Sequence, residues 1–345
     1  MSLKNKFNIS LFSIIVIFLV DRISKFYIIT LSKKNFDQEI FQSEYLNLVL
    51  IWNDGIAFGL LSLQESYLYN LITLLIGLII LVLIYLIYKS QNFKKFSYIL
   101  VTGGAGYIGT TLVPQLLALG HNVKVYDCLK FGGNGLIPMF RNEKFSFVKG
   151  DVRDTEALRP HVYEADVIIH LAAIVGYPAC SKEPELAKQV NVDATRRLAS
   201  IVRPDQLVLF GSTGSNYGAL ADGVCTEESP LKPLSLYGET KTEAERIVMS
   251  ETNAVAYRFA TAFGISPRLR LDLLVNDFVN KAINDKYIVV YESHFMRTFI
   301  HVHDIARSFV HAIENHEKMS NNVFNVGDDS MNRSKRAICE LIQGK

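Results

Sequence analysis

The stretch SYILVTGGAGYIG at 97–109 decides how the rest of this chain is read. Its first six residues, SYILVT (97–102), make a short apolar strand candidate, and Gly103, Gly106 and Gly109 follow at once. Thr110 to Leu119 has helical character and ends at Gly120. A second strand candidate, NVKVYD (122–127), closes on Asp127. A glycine-rich motif alone is a weak signal. Here it leaves a strand, opens a helix and is followed by an acid ending the next strand, which is the pattern of a dinucleotide site. The glycines let the backbone turn tightly and approach a pyrophosphate with no Cβ in the way. The helix N-terminus offers N–H groups and positive dipole to the phosphates. Asp127 accepts from ribose hydroxyls and repels a 2′-phosphate, which favours NAD over NADP. The bland alternative is a βαβ turn that holds no ligand, and the full context counts against it.

Further on, Tyr237-Gly-Glu-Thr-Lys241 reads Y-x-x-x-K. Residues i and i+4 of a helix share a face, so phenol and ammonium point the same way. A cation beside a phenol favours the phenolate, which predicts a Tyr237 usable as a base near neutral pH. A lone Y-x-x-x-K usually means only a solvated helix face. It means more after the strand QLVLFGST (206–213), which ends in Gly211-Ser212-Thr213.

The spacing of Gly103, Gly106 and Gly109 resembles the extended branch of the short-chain dehydrogenase/reductase family, the NAD-dependent epimerases and dehydratases. Gly150-Asp151-Val152, the strand DVIIHLAA ending in His170-Leu171-Ala172-Ala173, and Asn191 keep that family's order of landmarks. The resemblance covers 98–345. It implies an α/β fold, a Rossmann-type doubly wound parallel sheet with an incomplete C-terminal substrate lobe. It implies NAD as cofactor, held by Gly103, Gly106, Tyr107, Ile108, Gly109, Asp127, Asp151, Val152, Ala172 and Lys241, with Asp151 and Val152 at the adenine. Tyr237, Lys241 and Thr213 become the catalytic residues: Tyr237 takes the proton of a sugar hydroxyl, Lys241 holds the ribose, and Thr213 orients the substrate. Ser212 is a further substrate candidate, with a turn hydroxyl bonded to backbone as its bland alternative.

Dehydratases of this family carry T-D-E at the catalytic threonine, and decarboxylases a glutamate. This chain has Gly214-Ser215 there, so an epimerase of the UDP-glucose 4-epimerase kind, or an oxidoreductase on a sugar nucleotide, remains. RTFIHVHD (297–304) resembles the family's R-x-x-I-H-V-x-D, which implies that Arg297 contacts the nucleotide diphosphate. Asp304 is expected to cap the following helix. Asn276 is a weaker substrate candidate, Arg258 leads into a segment beside the nicotinamide, and Arg268 and Arg270 read as a solvated turn. The resemblance also implies a homodimer through the Tyr237 helix.

The first 97 residues read differently. YLYNLITLLIGLIILVLIYLIY (67–88) is an uncharged run long enough, at roughly 33 Å, to span a bilayer. A second span is expected from about Ile9 to Leu31, although Asp21, Arg22 and Lys25 interrupt it. Lysines before the first run and after the second place both ends in the cytoplasm. The expected organisation is therefore a two-helix membrane segment at 1–97, in contact with lipid through 9–31 and 67–88, and a cytoplasmic NAD-binding domain at 98–345 on the inner membrane. DRISK (21–25) and NDGIAFG (53–59) resemble the early motifs of lipoprotein signal peptidase, an intramembrane aspartyl protease. Its two catalytic motifs, G-N-x-x-D-R and F-N-x-A-D, are missing, so no peptidase activity is expected. Two partial resemblances meeting near 99–106 also allow a non-catalytic chimera that binds NAD and turns nothing over. A net charge of +2 gives no reason to expect nucleic acid. Cys128, Cys180, Cys225 and Cys339 are scattered, with no metal-binding spacing, and read as unpaired thiols.

Overall fold

The computed structural model describes residues 3–35, 39–43, 47–49, 74–75, 77–82, 85, 96–218 and 225–344. Two compact units result, Met1–Ile87 and Tyr88–Lys345. In the first, helix α1 runs over Leu3–Asn35, and strands β1 (Glu39–Gln42) and β2 (Asn47–Val49) pair antiparallel. Among the described residues no helix is long and apolar enough to cross a membrane. The expected pair of spans is therefore not shown. In α1, Asp21 pairs with Lys25 at 2.9 Å and with Arg22 at 3.3 Å. The second run (67–88) lies for the most part outside the described residues, and NDGIAFG wholly so.

In the second unit, short Val-, Ile- and Leu-rich segments form strands buried on both faces, as a parallel sheet demands. In chain order the strands are β3 (Tyr98–Thr102), β4 (Asn122–Asp127), β5 (Phe145–Lys149), β6 (Val167–His170), β7 (Leu207–Thr213), β8 (Ala254–Phe259), β9 (Thr261–Phe263), β10 (Met296–His301), β11 (Asn322–Val326) and β12 (Asn332–Ser334). Seven of them build one sheet, ordered β11-β8-β7-β6-β3-β4-β5, with every pairing parallel. The helices that matter for the packing are α2 (Gly109–Ala118), α3 (Thr155–Glu164), α4 (Ala194–Ala199), α5 (Leu236–Glu251), α6 (Leu274–Asn284), α7 (Val302–Glu314) and α8 (Lys335–Gln343). Leu112 and Leu116 of α2 and Phe309 of α7 pack on Ile99 and Val101. Leu158 of α3, Leu198 of α4 and Val248 of α5 pack on Leu100, on the other face of the sheet. This is the expected doubly wound arrangement.

The sheet runs one way from β3 through β4 to β5 and the other way from β6 onward. The gap between the turns after β3 and β6 is therefore a switch point, where open α/β sheets hold ligands. A second, smaller sheet of order β12-β10-β9 packs with α6 and α8 around Phe278, Phe299 and Ile338. One local expectation is corrected here. His301, not Asp304, caps α7: its Nδ1 accepts from the His303 N–H at 3.3 Å. Asp304 sits in the first turn and pairs with Arg307 at 3.2 Å instead. The helix starts three residues earlier than the capping argument assumed.

Candidate active site

After β3 the backbone turns at Gly103 with φ +71°. A Cβ there would come within 2.6 Å of the Ala172 nitrogen, because this turn packs directly on the turn after β6. A Cβ on Gly109 would collide with the Gly104 carbonyl. Both positions therefore admit only glycine. Beyond the turn, the backbone N–H groups of Tyr107 and Ile108 donate to no acceptor among the described residues. The Tyr107 side chain has another task, donating to the Gly264 carbonyl at 2.8 Å. Asp127 ends β4 beside the turn. Its carboxylate accepts from the Ala105 N–H at 3.0 Å and the Leu129 N–H at 2.8 Å. Burial pushes its carboxyl up, and these two N–H groups pull it back down.

Asp151, Val152 and Ala172 line the same cleft. Asp151 is already engaged: Arg153 grips its carboxylate at 2.7 Å and holds it below the usual carboxylate range. Asn191 ties the turn after β6 to α5. Its amide bonds Ile174 N and O at 2.8 and 3.0 Å, and the Thr240 hydroxyl at 3.1 Å.

Helix α5 starts at Ser235, whose hydroxyl accepts from the Gly238 N–H at 3.2 Å. Tyr237 and Lys241 follow on one face, and both line the cleft with Thr213. Burial pushes the Tyr237 phenol up to about 12, while the nearby Thr213 hydroxyl and the charge of Arg270 act to lower it. Lys241 does not supply the lowering expected of it. Its Nζ lies 3.9 Å from the centre of the Phe210 ring, and burial brings its pKa down to about 7. An ammonium disfavoured by burial and resting on an aromatic face leaves the phenol without that cation.

Three sequence-predicted substrate residues fare differently. Ser212 lines the cleft beside Thr213, but it is largely buried and its hydroxyl donates to Glu245 at 2.5 Å. Asn276 holds the loop after β9, with its amide on Gly264 N and O and on the Arg270 carbonyl. Arg297 is exposed, lines the cleft and makes no ion pair among the described residues.

Arg258 is buried at the edge of the cleft. It binds Glu245 at 2.6 Å, the Tyr217 hydroxyl at 2.8 Å and the Glu227 carbonyl at 3.0 Å. Glu245, missed in the sequence, continues the i, i+4 series of Tyr237 and Lys241, which was the available signal. Arg270, expected in a solvated turn, belongs to the cleft instead. Its side chain is only 18% exposed, is fixed by Asp272, and lines the cleft.

The cleft encloses about 2230 Å³, more than the ~300–1,000 Å³ of a typical small-molecule site. Gly103, Tyr237 and Arg297 all line it. A dinucleotide fits the residues present: a turn closed to side chains, backbone N–H groups without acceptors among the described residues, and Lys241 lining the same cleft.

This geometry defines a Rossmann-fold protein with a tyrosine–lysine site across the switch point. The family model described as NAD dependent epimerase/dehydratase family matches residues 99–327, and the chain belongs to that family. The low-salt glycan biosynthesis protein Agl12 of Haloferax volcanii is 33% identical over 217 residues, covering 60% of this chain and 69% of the relative. A UDP-glucuronic acid 4-epimerase structure from Bacillus cereus, in complex with UDP-glucuronic acid and NAD, superposes with a TM-score of 0.65. It is 27% identical and covers 72% of this chain and 83% of its own. A second model, Signal peptidase (SPase) II, matches residues 13–154 and so overlaps the first over 99–154. A lipoprotein signal peptidase from Pelagibacter ubique is 45% identical over 104 residues, and the match covers 30% of this chain and 62% of that relative's length.

Proposed function

We propose that residues 98–345 act as an NAD-dependent epimerase or oxidoreductase on a nucleotide-activated sugar, of the UDP-glucose 4-epimerase kind, and that residues 1–97 tether this domain to the cytoplasmic face of the inner membrane. The observation that carries the enzymatic reading is that Tyr237, Lys241 and Thr213 line the same cleft as the glycine turn at Gly103–Gly109. Tyr237 accepts the proton of the sugar hydroxyl, and Thr213 orients the oxygen that loses it. Lys241, lining the same cleft, takes the ribose hydroxyls. Gly103, Gly106 and Gly109 let the backbone N–H groups of Tyr107 and Ile108 face the pyrophosphate. Bound NAD supplies the hydride chemistry. Arg297 faces the substrate's diphosphate as a bidentate partner. Gly214-Ser215 beside Thr213 offers no second acid–base pair, which favours epimerisation over elimination.

The tether rests on α1, whose apolar side chains stand exposed, Ile17 at 69% and Phe26 at 74%. Apolar surface of that extent marks contact with lipid or protein. The test is direct. Purified full-length protein in detergent is assayed for bound NAD and for conversion of UDP-glucose to UDP-galactose. Absence of turnover on a panel of UDP- and dTDP-hexoses would sink the enzymatic reading. The overlap of the two family matches over 99–154 favours one alternative, a chimera of a partial signal peptidase and an NAD-binding domain. Bound NAD without turnover selects that alternative.

A further inference from the structure

Arg268 enters the cofactor end of the cleft from the segment that follows β9. Its backbone N–H donates to Thr110 Oγ1 at 3.3 Å, and Thr110 Oγ1 meets Ser266 Oγ at 2.9 Å. Ser266 Oγ donates to the Tyr107 carbonyl at 2.7 Å, and the Tyr107 hydroxyl returns to the Gly264 carbonyl. Segment 264–268 is thus stitched to the start of α2, directly after the glycine turn. The Arg268 guanidinium lies over the Phe131 ring, 4.6 Å from its centre. Phe131 stands four residues beyond Asp127, and all three residues line one cleft. Arg268 forms no ion pair with a carboxylate among the described residues, although the charges of Arg268 and Asp127 act on each other.

We infer that Arg268 is a cofactor-specificity residue: its guanidinium is a latent site for a phosphate on the adenosine ribose of the dinucleotide, which Asp127 keeps closed. Dinucleotide sites choose NAD with an acid at the end of the second strand, and accept the 2′-phosphate of NADP with a nearby arginine. This chain carries both. Asp127 uses both oxygens as acceptors, so it has nothing to offer a phosphate bearing about −1.5 to −2 charges. Arg268 has the opposite character. Its planar fork is stacked on an aromatic face and fixed at its backbone, an arrangement suited to bidentate phosphate contact. The inference rests on reading the cleft as a dinucleotide site.

The test measures NADH and NADPH affinity by fluorescence for the full-length parent, Asp127→Asn, Arg268→Gln, Arg268→Lys and the double variant D127N/R268Q. Asp127→Asn should tighten NADPH by about tenfold or more, a gain that the double variant should lose. Arg268→Gln alone should leave NADH within about threefold of the parent, and Arg268→Lys should behave likewise. Two results overturn the inference: a double variant that binds NADPH as tightly as Asp127→Asn, or an Arg268→Gln variant that loses NADH and NADPH by the same large factor, which would place Arg268 on the pyrophosphate. If Asp127→Asn fails to fold, Asp127→Ser takes its place. A parent chain that binds neither dinucleotide overturns the dinucleotide reading itself, and this inference with it.

Discussion

Glu245 and Arg258 form a buried ion pair, with Oε1 2.6 Å from the guanidinium and side chains only 4% and 6% exposed. The pair joins α5 to β8 one turn beyond Lys241. The same carboxylate receives Ser212 at 2.5 Å and Asn216 at 3.0 Å, so it also anchors the end of β7 beside Thr213.

Removing one partner leaves the other charge buried and unpaired, which costs about 3–5 kcal/mol. Glu245→Ala and Arg258→Ala should each lower unfolding free energy by that much in urea titrations. Ser212→Ala should cost only about 1–3 kcal/mol, as expected for one buried hydrogen bond. A loss under 1 kcal/mol in both charge variants would mean that the pair is not closed in solution.

Tyr237→Phe removes the proton acceptor and keeps the ring. Turnover should fall by about 10²–10⁴-fold, the usual contribution of a general base. NADH affinity should stay within about threefold, since the phenol is not among the groups expected to hold the dinucleotide. Steady-state kinetics and a fluorescence titration separate the two. Retained turnover would show that another group takes the proton.

Lys241 is a buried ammonium whose pKa has fallen to about 7. Unfolded, it titrates near ~10.4. The folded state therefore disfavours the charged form. Below pH 7 the penalty is fully present, and stability recovers as pH rises from 7 toward the unfolded value. Lys241→Met should raise Tm at pH 6.5 while weakening NADH binding and abolishing turnover. Each kcal/mol gained shifts Tm by about 2–4 °C. Unchanged Tm would show that the ammonium has a partner in solution.

His170 is fully buried between the Thr102 hydroxyl at 2.7 Å and the Thr195 hydroxyl at 3.0 Å, and burial lowers its pKa to about 3. The unfolded chain takes up that proton near pH ~6.5, long before the folded one does. This contribution to stability is complete above pH 6.5 and drains away as pH falls toward 3, by up to about 1.4 kcal/mol per pH unit. Urea titrations between pH 7.5 and 4.5 should show the slope, and His170→Gln should flatten it. An unaltered slope in the variant would assign the acid sensitivity to carboxylates.

Gly103→Ala places a Cβ 2.6 Å from the Ala172 nitrogen and strains a backbone at φ +71°. Backbone cannot yield as a flexible side chain does. NADH affinity should fall by tenfold or more (about 1.4 kcal/mol) and the melting temperature should drop. Normal affinity in this variant would contradict the packing of the two turns.

Local pattern carried a good part of this. Apolar runs marked β3, β4, β6 and β7, because strands buried on both faces must be largely apolar. The glycine spacing located the turn after β3, since only glycine satisfies its geometry. Tyr237 and Lys241 shared a face because a helix repeats every 3.6 residues. Side-chain partners were another matter. Thr213 read as catalytic and Ser212 as a further substrate candidate, and only the tertiary structure brought Glu245 to the Ser212 hydroxyl. Asn276 looked like a substrate contact until its amide met Gly264 and Arg270. Arg268 and Arg270 looked like solvent-facing charges until the loop after β9 folded back on α2.

From the order of its residues alone, the chain determined a parallel sheet, a glycine turn for a dinucleotide, and a tyrosine and lysine four apart, because each depends on local period or local sterics. Only the tertiary structure decided which hydroxyl lies near the tyrosine, where the lysine's charge rests and which arginines face the cleft. Those outcomes depend on groups brought together from distant positions, and their burial alters the energy of every charge they carry.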